Sequence, residues 1–130
     1  MLSAAINATT LALIHAGIAI SSPVSSISVA CLHDVPLLDP SSPEEDLPNL
    51  CVACLSPDPA TKAARVNLVN LETRLSLDRF EAMVRLAAEA CDVIRDELNA
   101  ATRIWAERLA TQTRRLKDED AAAVDDEMET

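Results

Sequence analysis

A single glycine, one phenylalanine, one tryptophan and no tyrosine serve a chain of 130 residues. Each scarcity excludes a class of function. Phosphate-cradling loops of the P-loop and dinucleotide-binding kinds need several glycines for close backbone approach, and one cannot build them. Nucleic-acid bases stack on aromatic side chains, and one Phe with one Trp offers almost no platform. Cations are scarce too. Eleven Lys and Arg against 21 Asp and Glu leave a net charge of −10, which repels a phosphate backbone. Alone, such a chain is a poor nucleic-acid binder. No stretch supplies the roughly 18 to 20 apolar residues of a membrane helix. Residues 1–20 mix an apolar run with small residues as a signal peptide does, but they lack a positive n-region, and Asn7 and His15 interrupt the run. The expectation is a soluble, intracellular protein with no membrane partner.

What the chain does have is apolar substance. Hydrophobic residues make up 49% of it, enough for a packed core, and the length fits one domain or a piece of one. Four cysteines, Cys31, Cys51, Cys54 and Cys91, lie in apolar surroundings and read as reduced core residues. Cys51-Val-Ala-Cys54 has the C-x-x-C spacing of redox pairs and zinc knuckles. A redox pair opens a helix, and a knuckle needs a turn and a second ligand pair. Here the motif sits in a strand-like run, where residues three apart point to opposite faces. His15 and His33 are not spaced to complete a site. Neither a metal nor a cofactor is expected.

Residues 76–109 form the best-specified element. Phe80, Val84, Ala87, Cys91, Ile94, Leu98, Ala101 and Trp105 recur at steps of four and three, which keeps them on one helix face. Glu81, Arg85, Glu89, Asp92, Arg95, Asp96, Arg103 and Glu107 occupy the other. Ser76 is placed to cap the helix, and Asp78 complements its first-turn amides.

Before this helix the pattern predicts a helix over 2–16, with Gly17 at its C-terminal turn and much of its Ala- and Thr-rich surface buried. A strand over 24–32 follows, then a proline-rich loop over 33–49 whose start Leu37 and Leu38 pin. A strand over 50–55, buried on both faces, precedes an antiparallel partner over 64–70. After residue 109 the core-facing period is lost, and residues 111–130 read as a charged, disordered tail behind a domain spanning 2–110. The sum is an α+β fold of helix, three strands and helix, with a small antiparallel sheet. Three strands are few for this much apolar surface.

Several phrases resemble the RNase PH family, and within it the RNase PH-like subunits of the RNA exosome ring. Ala4-Ala5-Ile6-Asn7-Ala8-Thr9-Thr10-Leu11-Ala12-Leu13-Ile14-His15-Ala16-Gly17-Ile18 resembles the family helix ending in A-L-x-D-A-G-I, with His15 where Asp is usual. Ile27-Ser28-Val29-Ala30 and Pro36-Leu37-Leu38-Asp39-Pro40 resemble the strand and the "LLD" turn that follow. Residues 71–91, through Arg74-Leu75-Ser76-Leu77-Asp78-Arg79-Phe80-Glu81, resemble the last strand and C-terminal helix. The resemblance implies the C-terminal part of a partial RNase PH-like fold of the ribosomal protein S5 domain 2-like kind.

Two departures bear on function. Family members are about twice as long, and the Gly-rich, Arg-containing phosphate-binding stretch before the first helix has no counterpart. Active members also place two acids about six apart after the "LLD" turn. Here Glu44-Glu45-Asp46 remains as a vestigial acidic loop, but the second acid falls near Asn49, Leu50 or Cys51, none of them a carboxylate. Phosphorolysis brings anions together and needs cations to hold phosphate and carboxylates for a metal or proton. The resemblance therefore implies no catalytic or binding residues of its own. It implies a non-catalytic structural subunit of the exosome ring, acting in 3′–5′ processing and degradation of rRNA and mRNA. Its partners would be the other RNase PH-like subunits and the cap proteins, with RNA met only through the assembled ring, in the nucleus, nucleolus and cytoplasm. The alternatives are a phosphate-dependent 3′–5′ exoribonuclease completed by a further N-terminal half, and an α+β interaction module unrelated to RNA.

Overall fold

The computed structural model describes residues 1–41, 44, 47–57, 60–61 and 64–128, with side chains through Lys117. In chain order these form α1 (Leu2–His15), β1 (Val24–Leu32), β2 (Val35–Leu38), β3 (Asn49–Leu55), β4 (Arg65–Leu71) and α2 (Leu77–Met128). Two compact units divide the chain, Met1–Leu98 and Asn99–Thr130.

The first unit is built on a four-stranded sheet in the order β2-β1-β3-β4. All neighbours are antiparallel. The α+β class agrees with the sequence pattern, but the strand count does not. Val35–Leu38, expected as part of a loop, pairs with Val29 to Leu32. The connection is the two residues His33 and Asp34, both at positive φ (47° and 69°). That is the geometry of a type I′ hairpin turn, whose twist matches that of the strands. Such turns usually announce themselves by Asn-Gly, and neither His nor Asp followed by Val does so. Pro36 further disguises the strand. Its missing N–H is harmless because β2 is an edge.

One sheet face carries the core. Val29, Cys31, Leu50, Val52 and Cys54 pack against Met83, Ala87 and Cys91 of α2, all at 7% exposure or less. Ile27, Leu71, Leu75, Phe80, Val84 and Ala88 surround them. The helix starts where the sequence pattern puts it. Ser76 C=O accepts from the Phe80 amide at 3.0 Å, and Asp78 lies in the first turn. Arg79 of that turn ion-pairs with Asp34 of the β1–β2 turn. The buried stripe is Met83-Ala87-Cys91, at steps of four. The sequence pattern favoured Val84 over Met83, a phase error of one position.

The role of α1 differs from expectation. Most of its Ala-rich surface is exposed, Ile6, Leu13 and Ile14 are half-buried, and the two buried side chains are Ser3 and Thr10. The reason lies in β1, whose outer edge β2 covers only from Val29 onward. The Asn7 side-chain amide donates to Ser26 C=O at 2.9 Å while its oxygen accepts from the Ser26 amide at 2.8 Å. Thr10 Oγ1 donates to Val24 C=O at 2.8 Å, and the Ser3 and Ser28 hydroxyls bond at 3.0 Å. A polar row at positions 3, 7 and 10 thus satisfies a strand edge, so an apolar face is not what the helix needs there. At its end, Gly17 stands at φ +70°, with its amide bonded to Ile14 C=O and the Ile18 amide to Leu13 C=O. This is the Schellman pattern that favours glycine.

The second unit is helical from Asn99 to Met128, so the backbone helix passes the expected boundary at 110–111. Residues 106–117 are all exposed, in keeping with a sequence that has lost its core-facing period.

Two substitutions test this arrangement. Asn7→Ala strips both partners from the Ser26 backbone and should lower unfolding stability by about 2 kcal/mol, read from urea denaturation. Met83→Ala should cost about 3 kcal/mol through the cavity left in the core. Val93→Ala, at a position 64% exposed on the same helix, should change stability by no more than about 0.5 kcal/mol.

Candidate functional site

The acidic stretch lies in the connection between β2 and β3. After Leu38 the chain enters a left-handed residue, Asp39 at φ 52°, whose amide donates to Ser28 C=O at 2.8 Å. This adds one rung to the β1–β2 ladder before Pro40 turns the chain away. The first turn of α1 meets the same place through Ser3 and Ser28. Between them opens a cleft of about 280 Å³, lined chiefly by Ser3, Ala4, Ser28, Asp39, Pro40 and Asn49. Its side chains supply hydroxyls, one amide and one carboxylate. Among the described lining residues none is a Lys or Arg.

Glu44 does not line this cleft. Its carboxylate accepts from the Ser41 hydroxyl at 2.7 Å and the Ser41 amide at 2.8 Å. The Glu44 amide in turn donates to Ser41 C=O at 2.8 Å. Such a reciprocal arrangement closes a tight turn. These donors hold the Glu44 carboxyl below the ordinary glutamate value, the hydroxyl contributing most. Glu45 and Asp46 lie outside the described residues. Past them, Asn49 begins β3, and Leu50 and Cys51 are 1% and 7% exposed. The positions where a second acid would fall are thus the entry and buried interior of a central strand. Asp39, absent from the expected acidic set, is the carboxylate at the cleft. Its place before proline in Leu37-Leu38-Asp39-Pro40 was the available signal.

The cysteines sort as the strand geometry requires. Cys54 joins the core face with Cys91, while Cys51 lies on the other side, 3.4 Å from Ser26 Oγ. All four are free and buried. Cys91 Sγ contacts Ser25 C=O at 3.5 Å, and its thiol is pushed up by the hydrogen bond to Cys54 and by burial. A thiol held neutral in this way is a packing group, not a nucleophile. His33 lies in the β1–β2 turn and His15 at the end of α1. Among the described residues no three His, Cys, Asp or Glu side chains converge on a point suited to a metal ion. No described helix is long and apolar enough to cross a membrane.

What this arrangement can do is limited. One open carboxylate with neighbouring hydroxyls can orient a polar group or water. Among the described lining residues it has no cationic side chain to neutralise two approaching phosphates.

Comparison with known proteins agrees with the sequence resemblance. The chain is 31% identical over 103 residues to exosome complex component SKI6 of Saccharomyces cerevisiae, covering 79% of this chain and 40% of that protein. It is 34% identical over 98 residues to the exosome complex component RRP41 homolog of Arabidopsis thaliana, covering 74% of this chain and 39% of that protein. The chain therefore spans about 40% of the length of these relatives. It matches no family model.

The Glu44 turn carries its own test. With its folded pKa depressed, its contribution is present above the unfolded glutamate pKa and lost as pH falls through the folded value. An NMR carboxyl titration should place Glu44 below a glutamate in an unstructured peptide. Ser41→Ala should move it back up part of the way, since the Ser41 amide remains.

Proposed function

We propose that this chain, a member of the RNase PH-like exosome proteins, serves as a non-catalytic structural element of the exosome ring. One observation carries the reading. Among the described residues the cleft beside the "LLD" turn has no cationic side chain, and the second-acid positions belong to strand β3, with Leu50 and Cys51 buried. Similarity to two exosome components supports membership of the complex, while the missing charges argue against chemistry within this chain.

On this reading residues 2–110 are the C-terminal part of an RNase PH-like domain, and residues 111–130 are a charged tail. The partners are other RNase PH-like and cap subunits in the nucleus, nucleolus and cytoplasm. RNA destined for 3′–5′ processing or decay is met in the assembled ring. The net charge of −10 fits this division, because the basic surfaces that guide RNA would come from neighbours.

Tagged chain recovered from its own cells should bring down exosome subunits, identified by mass spectrometry. The purified chain, given labelled RNA and inorganic phosphate, should release no nucleoside diphosphates. Recovery without any exosome subunit would remove the structural reading, and phosphate-dependent release of diphosphates would restore the enzymatic one.

A further inference from the structure

The two edges of the sheet are treated differently. At β2 the edge is four residues long and carries Pro36. At β4 it is seven residues long, Arg65–Leu71, with neither Pro nor Lys. Long edges without such guards template further pairing. Val66, Leu68 and Val69 are 42%, 39% and 37% exposed there, Val66 and Val69 on the core face of the sheet and Leu68 on the other.

The register fixes which backbone groups are open. Ser26 bonds outward to Asn7 through both its N–H and its C=O. Its partner across the ladder is Ala53, which pairs in turn with Leu68. Because backbone groups alternate sides along an antiparallel strand, Leu68 faces β3 and Val69 presents its N–H and C=O to the outside.

We propose that β4 pairs antiparallel with β4 of a second copy of this chain, with Val69 on the two-fold axis. The pairing of β4 with β3 is irregular at Asn67. Ala53 pairs with Leu68 and Cys54 with Val66, so Asn67 is passed over. Rotation about Val69 then sets Leu68 opposite Asn70, Val66 opposite Leu71 and Arg65 opposite Glu72 of the other copy. Without the bulge, Arg65 would fall one position beyond Glu72. With it, a cation and an anion meet at both ends of the ladder, and apolar pairs fill the face shared with the core. An isologous contact requires this self-complementarity, in which every pair occurs twice. Cross-strand charge and apolar pairs each add a fraction of the stability, so the dimer is a weak one built on backbone hydrogen bonds. It joins two four-stranded sheets into one. The proposal is independent of ring membership, and its test needs only the purified chain.

Sedimentation equilibrium or light scattering across a concentration series should show a reversible monomer–dimer equilibrium. Val69→Lys, which opposes two ammonium groups on the axis, should abolish it. Arg65→Glu and Glu72→Arg should each weaken it by about tenfold, by placing like charges opposite each other twice per dimer. The double swap Arg65→Glu/Glu72→Arg should restore it. Unchanged circular dichroism of each variant ensures that association, not folding, is being read. A wild-type monomer up to the solubility limit overturns the proposal. So does a dimer indifferent to Val69→Lys, or single swaps that the double swap fails to rescue.

Discussion

The paired hydrogen bonds between the Asn7 amide and the Ser26 backbone decide how the first unit is put together. A β1 strand nine residues long flanked by a four-residue β2 leaves half an edge bare. A buried peptide group without a partner is costly, so something must stand in for the missing strand. A primary amide does so because it carries one donor and one acceptor in the geometry of a peptide. Thr10 and Asp39 complete the same row above and below, at Val24 and Ser28. With that stretch closed by a helix, β1 and β3 become interior strands, and the edges that remain are the short, proline-bearing β2 and the longer β4.

The opposite face follows from the small side chains on both surfaces. Ala87 and Cys91 on α2 meet Cys54 and Val52 on β3, and no aromatic ring stands among the fully buried residues. A chain with one Phe and one Trp cannot fill a wide gap between layers, so the layers must come close. Cysteine suits this role as a compact, polarizable hydrophobe. The C-x-x-C spacing thus has a packing origin, in two residues three apart on a central strand buried from both sides.

Much of this was legible in the chain. Periodicity reports burial directly, so the start of α2, the buried strand at Leu50, its antiparallel neighbour and the Gly17 terminus are all visible in the sequence. The failures share a cause. The hairpin at His33–Asp34 lacks the glycine that marks such turns, so β2 disappeared into its proline-rich surroundings. The row Ser3, Asn7 and Thr10 is hidden because an Ala- and Thr-rich helix reads as one buried over much of its surface, and spacing alone does not show that three polar residues meet a strand edge. Met83 was displaced by Val84 because adjacent apolar residues leave the helix phase ambiguous by one step. At the site, the absence of a second acid could be read from sequence. That Asp39, and not Glu44, fronts the cleft depends on a left-handed backbone and on Glu44 folding back to Ser41, neither of which composition reveals.

The order β2-β1-β3-β4 also bears on how quickly the unit assembles. β1 with β2, and β3 with β4, are neighbours both in sequence and in the sheet, and α1 docks on the strand that follows it. The β1–β2 and β3–β4 ladders close the shorter loops, and the β1–β3 ladder closes a moderate one once the hairpins exist. A two-residue connection of this kind favours zippering of β1 with β2 from the His33–Asp34 turn outward. The late and entropically dearest step is the return of α2, far along the chain, to cover Val29 at the centre of the sheet. A nascent chain would therefore hold its sheet for a time with the sulfur-lined face uncovered. That interval is when it is most exposed to capture by a chaperone or to oxidation.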